Sequence, residues 1–260
     1  MTLPGADWPA PDLVAVDDGR RVALRSAGSG APLVLIHGFP LDHRMWDAQV
    51  PLVLPGGELA GRCRLLVPDL AGFGSSPPPV APSIAAMADD VARLLEATLG
   101  GEPATVCGLS MGRDVAQHLA ARHRRLLRGL VLVDTRLEGD TPEARAGRAD
   151  LAERVGRLGA AIAAEAMLPR LFSRLPGAAL DRGPAPRRAE VERSVRRCIE
   201  GTHPDRIRGA LGALAARPDM TAAAADFDLP TLLVVGADDL ITPPVCLEEA
   251  ARRIPRARHD

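Results

Sequence analysis

The sequence contains no lysine, no tyrosine and no asparagine, so all 32 of its basic residues are arginine. The codons of these three missing residue types are rich in A and T, and we therefore attribute their absence to a G/C-rich gene. The number of arginines is consequently no evidence for recognition of an acidic ligand. The formal net charge of −1 gives no overall field that would attract the chain to nucleic acid or to an anionic membrane.

Long apolar runs and clustered cysteines are also absent. No window holds about eighteen uninterrupted apolar residues, the length that a membrane span needs. The first twelve residues lack the basic and apolar regions of a secretory signal. Cys63, Cys107, Cys198 and Cys246 form no CxxC pair, which argues against a zinc site and against a dense disulfide framework. These absences predict a cytoplasmic protein without a membrane partner.

Short apolar runs alternate with longer amphipathic stretches through most of the chain. The runs lack the period-2 alternation of a half-buried strand, which predicts strands buried on both faces of a parallel sheet. Helical patterns lie between them, with Ser83 as the N-cap of the first, and together they indicate a doubly wound, mostly parallel α/β fold. The predicted strands are 33–36, 64–67, 105–107, 130–133 and 231–235, the predicted helices are 84–99, 111–122 and 243–254, and an N-terminal hairpin covers 13–16 and 21–25 with its turn at Asp17-Asp18-Gly19.

The stretch from 136 to 228 interrupts this alternation. It contains helical patterns at 142–171, 187–200 and 204–216 and no convincing strand. We therefore predict a helical cap, 136–228, inserted after the sixth strand over one end of the sheet. Residues 1–135 and 229–260 would form the α/β core.

A GxSxG motif, Gly108-Leu109-Ser110-Met111-Gly112, lies between a predicted strand and a predicted helix. A serine hydroxyl becomes an effective nucleophile when it is exposed and placed beside a base, and a sharp strand-to-helix turn presents it in this way. Gly108 and Gly112 provide the small residues that such a turn needs. The motif therefore predicts Ser110 as a nucleophile, the alternative being an ordinary strand-to-helix turn.

A second loop, His37-Gly38-Phe39-Pro40, follows the predicted strand at 33–36. It can direct the backbone N–H of Phe39 at the site that the N–H of Met111 also faces, and two such donors form an oxyanion hole. We interpret His37 as a residue that braces this loop and not as the catalytic base.

Four motifs follow one another along the chain, HGFPLD at 37–42, PDLAGFGS at 68–75, GLSMG at 108–112 and VGADDLITP at 235–243. Together they resemble the α/β-hydrolase superfamily, in the branch of 3-oxoadipate enol-lactonases and related esterases, and the resemblance covers essentially the whole chain. It implies Ser110 as the nucleophile, Phe39 and Met111 as the oxyanion donors, and a helical cap between the sixth and seventh strands. It implies no metal and no organic cofactor.

The resemblance also implies an acid in the turn after the seventh strand, three residues beyond the glycine, which is Asp239. Its role would be to orient a histidine and to support its charge. Asp238 is the neighbouring alternative. Asp134, after the sixth strand, stands at a position that related folds use, and we interpret it as a strand-end residue.

The catalytic histidine of the family has no counterpart at its expected place in the chain. His259 falls at the predicted start of the eighth strand, whereas the active site lies at the carboxyl ends of the strands. His43, His118, His123 and His203 occur in no matching context. We therefore expect the sequence to be a fragment that lacks the last strand, the catalytic loop and the closing helix.

The residues after the motif depart from the family as well. The family usually has another glycine there, but this chain has Arg113 followed by Asp114. A bulky cation in the first turn of a helix opposes the helix dipole. This predicts poorer packing of the helix on the sheet.

These observations predict a serine hydrolase that cleaves a small carboxylic ester or lactone through an acyl-enzyme at Ser110. The cap could line an apolar pocket with Met167, Leu168, Leu171 and Phe172, or these side chains could pack inside the cap. One alternative is a cofactor-free perhydrolase or haloperoxidase with the same triad. The other is a catalytically inactive fragment or ligand-binding relative, which the absent histidine favours.

Overall fold

The computed structural model describes residues 8–17, 19–78, 82–173 and 188–259. The described strands are β1 Asp12–Asp17, β2 Arg20–Ser29, β3 Ala31–Ile36, β4 Cys63–Asp69, β5 Ala104–Leu109, β6 Leu127–Val133, β7 Thr231–Val234 and β8 Ala257–His259. They form one sheet in the order β1-β2-β4-β3-β5-β6-β7-β8. The pairs of β2 with β1 and with β4 are antiparallel, and the strands from β4 to β8 are parallel. The predicted fold class is therefore confirmed.

Helices connect most of these strands. The described α-helices are α1 Val50–Val53, α2 Ile84–Leu99, α3 Met111–Arg122, α4 Pro142–Leu158, α5 Ala161–Leu171, α6 Arg188–Glu200, α7 Pro204–Ala215 and α8 Pro244–Arg253. The side chain of Ser83 accepts a hydrogen bond from the N–H of Ala86 at 3.1 Å, which confirms it as the N-cap of α2. None of the described helices is long and apolar enough to cross a membrane.

Four of the described helices, α4 to α7, lie between β6 and β7 in the chain. The single helix predicted for 142–171 is two helices in the structure. Gly159 ends α4 with φ of 90°, a backbone conformation that favours glycine and cannot continue a helix. Asp18 of the predicted hairpin turn and residue 187 of the helical pattern predicted at 187–200 lie outside the described residues.

The prediction that the last strand is absent was wrong for its first residues. Residues 257–259 form β8, where Leu232 pairs with Arg258 and Leu233 with His259. A strand of three residues carries too little apolar pattern to be recognised from sequence alone. His259 does lie in this strand, as predicted, and its side chain is exposed.

Apolar side chains pack on both faces of the sheet. Val34 and Ile36 of β3 point to the face that α2 and α3 cover, and Leu35 between them packs on the other face with Trp46 and Val53. This arrangement explains why the strands show no period-2 pattern in the sequence. It places the carboxyl ends of β3, β5, β6 and β7 at one edge of the fold, where the next residues of the chain form the candidate site.

Candidate active site

Ser110 lies in the turn between β5 and α3. Its backbone has φ of 52° and ψ of −113°, a region that a residue with a side chain rarely adopts. The N–H of Ser110 donates a hydrogen bond to the carbonyl oxygen of Val133 in β6 at 3.1 Å, and the carbonyl of Ser110 accepts one from the N–H of Arg113 at 3.0 Å. Strain of this kind is retained where the surrounding structure fixes the residue, and such positions cluster at functional sites.

The two glycines of the motif are required by close approach of backbone to backbone. A Cβ on Gly108 would lie 2.2 Å from the carbonyl oxygen of Gly112, and a Cβ on Gly112 would lie 2.3 Å from that of Ile36. Neither distance is compatible with a side chain. The predicted need for small residues on both sides of Ser110 is therefore confirmed.

Arg113 and Asp114 do not prevent the packing of α3. Both are buried, and the Nε of Arg113 donates to the Oδ1 of Asp114 at 3.0 Å. The Nη1 of Arg113 donates to the carbonyl oxygen of Asp134. The expectation of poorer packing was wrong because these two acceptors bind the guanidinium group of Arg113 and make its burial beside α3 possible.

The loop after β3 lies directly beside Ser110. A Cβ on Gly38 would lie 3.4 Å from the Cβ of Ser110 and 3.2 Å from the carbonyl oxygen of Leu109. Phe39, the residue after Gly38, therefore lies near Ser110 and lines the same cavity. Met111 is the first residue of α3, so its N–H has no carbonyl one turn earlier in the helix.

His37 holds this loop in place. The Nε2 of His37 accepts a hydrogen bond from the N–H of Leu70 at 2.9 Å, and the Nδ1 lies 3.1 Å from the carbonyl oxygen of Gly38. Nδ1 therefore carries the proton in this arrangement, and burial lowers the pKa of the ring. The interpretation of His37 as a bracing residue is confirmed.

Asp239 lies in the turn after β7, and the backbone and side chain of that turn fix its carboxylate. The Oδ1 accepts hydrogen bonds from the N–H groups of Ile241 at 2.7 Å and Thr242 at 3.0 Å, and the Oδ2 accepts one from the hydroxyl of Thr242 at 2.8 Å. The neighbouring Asp238 instead accepts a hydrogen bond from the hydroxyl of Ser173 at 2.6 Å. Both residues line the cavity that contains Ser110.

Asp134 meets Asp239 at the carboxyl end of β6. Its φ is 54°, and its N–H donates to the carbonyl oxygen of Val234 in β7 at 2.9 Å. Burial and the contact with Asp239 raise the pKa of Asp134 to about 6, although Arg113 and the N–H of Gly236 act in the opposite direction. A carboxyl pair with one raised pKa is an arrangement typical of functional sites.

The cavity around Ser110 has a volume of about 860 Å³. Ser110, Phe39, Asp134 and Asp239 line it together with residues of α4 and α5. Three of the four apolar residues considered for a pocket contribute to it, namely Met167, Leu171 and Phe172. Leu168 is not part of the lining, and it packs against the main core as Met167 and Leu171 also do.

Histidine is missing from the described lining of this cavity. Five of the six histidines have hydrogen-bonding partners elsewhere: His37 binds the loop after β3, His43 binds Asp69, His118 binds the carbonyl of Asp114, His123 binds Asp89, and His203 caps α7, while His259 lies exposed in β8. The structure therefore brings Ser110, Phe39 and Asp239 together without a histidine beside them.

None of the five arginines of the cavity lining was predicted as a site residue, namely Arg113, Arg136, Arg148, Arg154 and Arg170. Arg136 and Arg148 both bind Asp140, a carboxylate that is fully buried. Asp140 also binds Arg217, which lies 77 residues further along the chain. A contact between residues so far apart leaves no local pattern in a single sequence.

One group of described residues has the composition of a metal site. Ligand atoms of Asp42, His43 and Asp69 lie within 4.8 Å of one another. The Asp69 carboxylate already accepts hydrogen bonds from His43 at 2.8 Å, from Arg25 at 3.0 Å and from the N–H of Ser75 at 2.9 Å. These donors satisfy the carboxylate without a cation, so the group is a structural hydrogen-bond network.

Comparison with known proteins identifies relatives over most of the chain. Residues 31–259 match the family model described as the alpha/beta hydrolase fold. A pimeloyl-[acyl-carrier protein] methyl ester esterase of Aromatoleum aromaticum is 32% identical over 235 residues, which cover 87% of this chain and 86% of that protein. Other curated relatives match at 35% to 38% identity over shorter segments, which span only 32% to 41% of their length.

Solved structures are similar over nearly the whole chain. A thermophilic esterase from Thermogutta terrifontis, solved with malate bound, has a TM-score of 0.83 and 36% identity, covering 98% of this chain and 89% of that one. The enol-lactonase from Burkholderia xenovorans LB400 has a TM-score of 0.78 and 28% identity, covering 94% of this chain and 89% of that one.

Proposed function

Since the chain belongs to the α/β-hydrolase fold family, we propose that it is a serine hydrolase that cleaves small carboxylic esters or lactones through an acyl-enzyme at Ser110. The relatives that are esterases support a hydrolase of ester substrates. The strained backbone of Ser110 at the start of α3 is the observation that carries the finer proposal.

In this reaction the Oγ of Ser110 loses its proton and forms a bond to the substrate carbonyl carbon. The C–O bond to the alcohol portion then breaks, and the proton passes to the departing alcohol oxygen. The backbone N–H groups of Phe39 and Met111 donate to the oxyanion of the tetrahedral intermediate. Water hydrolyses the acyl-enzyme and regenerates Ser110. The close approach of the Gly38 loop to Ser110 supports this pairing of donors.

Asp239 has the role of the acid that orients and supports a base. The three hydrogen bonds that it accepts from its own turn fix the position of its carboxylate. We further propose that 136–228 forms a cap over the core of 1–135 and 229–260, because residues of α4 and α5 line the same cavity as Ser110.

A second candidate is a ligand-binding relative that lacks turnover. The absence of histidine from the described cavity lining favours it, because the serine hydroxyl is then without the usual proton acceptor. In this case the cavity binds an ester without cleaving it.

The test treats the whole chain with a fluorophosphonate probe and with p-nitrophenyl acetate, in parallel with a Ser110→Ala variant. Both reactions are repeated with added imidazole, which can replace a missing general base. The Ser110→Ala reactions give the background that imidazole itself produces. Circular dichroism and the unfolding midpoint verify that the variant is folded.

Labelling and turnover that disappear in Ser110→Ala support the serine hydrolase. The same dependence on Ser110 seen only with imidazole supports the nucleophile and the oxyanion donors and identifies the base as the missing group. A folded protein whose Ser110 reacts under neither condition contradicts the proposal and leaves the ligand-binding relative.

A further inference from the structure

A buried carboxylate gathers three arginines beside the cavity of Ser110. The Oδ1 of Asp140 accepts hydrogen bonds from Arg217 at 2.6 Å and from Arg136 at 2.7 Å, and its Oδ2 accepts one from Arg148. The side chain of Asp140 is fully buried, and that of Arg217 is 3% exposed. Arg136 and Arg148 extend past Asp140 to the cavity surface.

A second carboxylate, Asp114, lies next to this group. Its Oδ1 accepts the Nε of Arg113 at 3.0 Å and lies 3.6 Å from the Nε of Arg217. Arg217 thus lies between Asp114 and Asp140 and joins the two groups into one cluster. We call Arg113, Arg136, Arg148 and Arg217 with these two carboxylates the arginine cluster.

The arginine cluster carries more positive than negative charge, since four guanidinium groups face two carboxylates. Asp134 and Asp239 are the next acids, and one positive charge remains in excess while Asp134 is protonated. Burial, and then the charges of Arg217 and Arg113, lower the pKa of Arg136. A cation in these surroundings is stabilised by an additional anion.

Some guanidinium N–H groups of the arginine cluster have no acceptor among the described residues. The Nε of Arg136 is buried and has no acceptor within the described part of the chain. The hydrogen bonds of Arg113 use Nε and Nη1, and those of Arg148 use Nε and Nη2. Arg113 and Arg148 therefore each keep one terminal nitrogen that no described acceptor binds.

The other acids of the cavity wall do not supply the missing charge. Asp150 pairs with Arg154 at 3.6 Å. Asp238 accepts a hydrogen bond from the hydroxyl of Ser173 at 2.6 Å. A buried cation that lacks an anion is costly, so this wall favours a ligand that brings one.

We propose that Arg113, Arg136 and Arg148 bind an oxyanion group of the substrate, a carboxylate or a phosphate, so that the ester or lactone presented to Ser110 is an anionic one. Guanidinium groups bind carboxylate and phosphate through paired N–H donors in a fixed geometry. The cavity of about 860 Å³ accommodates such a group together with a small acyl chain. The identity of the substrate class rests on the proposed function of Ser110, but the oxyanion site does not.

The test measures binding in the absence of turnover, by calorimetric titration of the Ser110→Ala chain with glutarate, inorganic phosphate and dimethyl glutarate. Glutarate and its dimethyl ester share a carbon chain and differ in charge. Arg148→Gln is the test variant. Arg157→Gln is the matched control, because Arg157 lies on the same helix with a side chain that is 71% exposed and outside the cavity lining.

We expect glutarate or phosphate to bind and dimethyl glutarate not to bind. Arg148→Gln should weaken the dissociation constant of the anion roughly 10- to 100-fold, the usual effect of losing a charge-assisted hydrogen bond. Arg157→Gln should leave it unchanged. The tighter of the two anions identifies the oxyanion group.

Failure of both anions to bind overturns the proposal. An equal affinity for dimethyl glutarate, or an affinity that Arg148→Gln leaves intact, overturns it as well. Arg148→Lys is the second variant in case Arg148→Gln unfolds. It retains the charge toward Asp140 and loses the paired donors, so the anion should bind several-fold more weakly.

Failure of this inference and failure of the proposed function have different signatures. Turnover of neutral p-nitrophenyl acetate that depends on Ser110, without binding of either anion, preserves the hydrolase and removes the oxyanion site. Binding of an anion that depends on Arg148, without reaction at Ser110, preserves the oxyanion site and removes the hydrolase.

Discussion

The carboxyl groups of Asp134 and Asp239 lie next to each other where β6 and β7 end. Two negative charges at such close range repel each other, which favours protonation of one carboxyl. The raised pKa of Asp134, about 6, follows from its burial and from this contact. Asp134 is therefore neutral in mildly acidic solution and charged in alkaline solution.

We predict that Asp134→Asn stabilises the fold at neutral pH and not at pH 4. The pKa of Asp134 is higher in the folded chain than in the unfolded one, so its contribution to stability is present at low pH and is lost as pH rises through about 6. An asparagine amide cannot ionise, donates to Asp239, and tolerates the positive φ of this position. Urea unfolding should show a gain of about 2 kcal/mol at pH 7.5.

The control for this change is Asp228→Asn, because the side chain of Asp228 is 78% exposed. It should show no comparable rise in the free energy of unfolding between pH 4 and pH 7.5. If Asp134→Asn changes the free energy of unfolding equally at both pH values, the ionisation of Asp134 is not the cause.

Gly112→Ala should destabilise the chain by about 3 kcal/mol, because the new Cβ would lie 2.3 Å from the backbone oxygen of Ile36 and β3 cannot move away freely. Gly212→Ala is the matched control. Gly212 lies inside α7 with no atom within 4 Å of an added Cβ, so alanine should stabilise the helix by about 0.5–1 kcal/mol. Chemical denaturation of both variants measures the difference, and effects of the same sign would contradict the proposed close approach.

Asp69→Asn should lower the free energy of unfolding at pH 7 by about 3 kcal/mol, because it removes the charge that His43 and Arg25 bind. Burial alone would raise the pKa of Asp69, but hydrogen bonds from His43 and Ser75 outweigh it and lower the pKa to about 2. Its contribution is therefore present above about pH 4 and is lost as pH falls toward 2.

The pH dependence is the decisive measurement for Asp69. The difference in stability between the native chain and Asp69→Asn should shrink between pH 4 and pH 3 in urea unfolding. Asp150→Asn, at a side chain that is 67% exposed, serves as the control. A stability difference that stays constant over this range would show that the negative charge of Asp69 is not the source of its contribution to stability.

Asp140→Asn should destabilise the chain by about 3–5 kcal/mol, because Arg136, Arg148 and Arg217 lose the one buried charge that they share. The hydrogen bonds from Arg148 and Arg217 lower the pKa of Asp140 against the effect of burial, so this stabilisation also declines in acid. Thermal unfolding at pH 7 and pH 4 measures both effects. An unchanged unfolding midpoint at pH 7 would show that the contacts of Asp140 with these arginines do not stabilise the fold.

The local parts of the fold and site were predictable from the sequence. The Ser83 cap, the bounds of α2 and α3, and the glycines beside Ser110 depend on residues a few positions apart. Arg113 was misjudged because its acceptor, the carbonyl of Asp134, lies 21 residues away. The same reason hides the arginine cluster and the contact of Asp134 with Asp239, which no short pattern connects. The number of arginines reflects the composition of the chain, whereas the placement of three of them around Asp140 is a property of the fold.

Asp140 binds Arg136 and Arg217, which flank the helices α4 to α7, and the N–H of Met220 donates to the carbonyl of Leu137 at 2.8 Å. The chain therefore leaves the sheet and returns to it at the same place, where these contacts join the two ends of the helical segment. A segment attached in this way can vary in length or be exchanged for another while β6 and β7 stay in register. Evolution could thus remodel the wall that faces the substrate independently of the turn that holds Ser110.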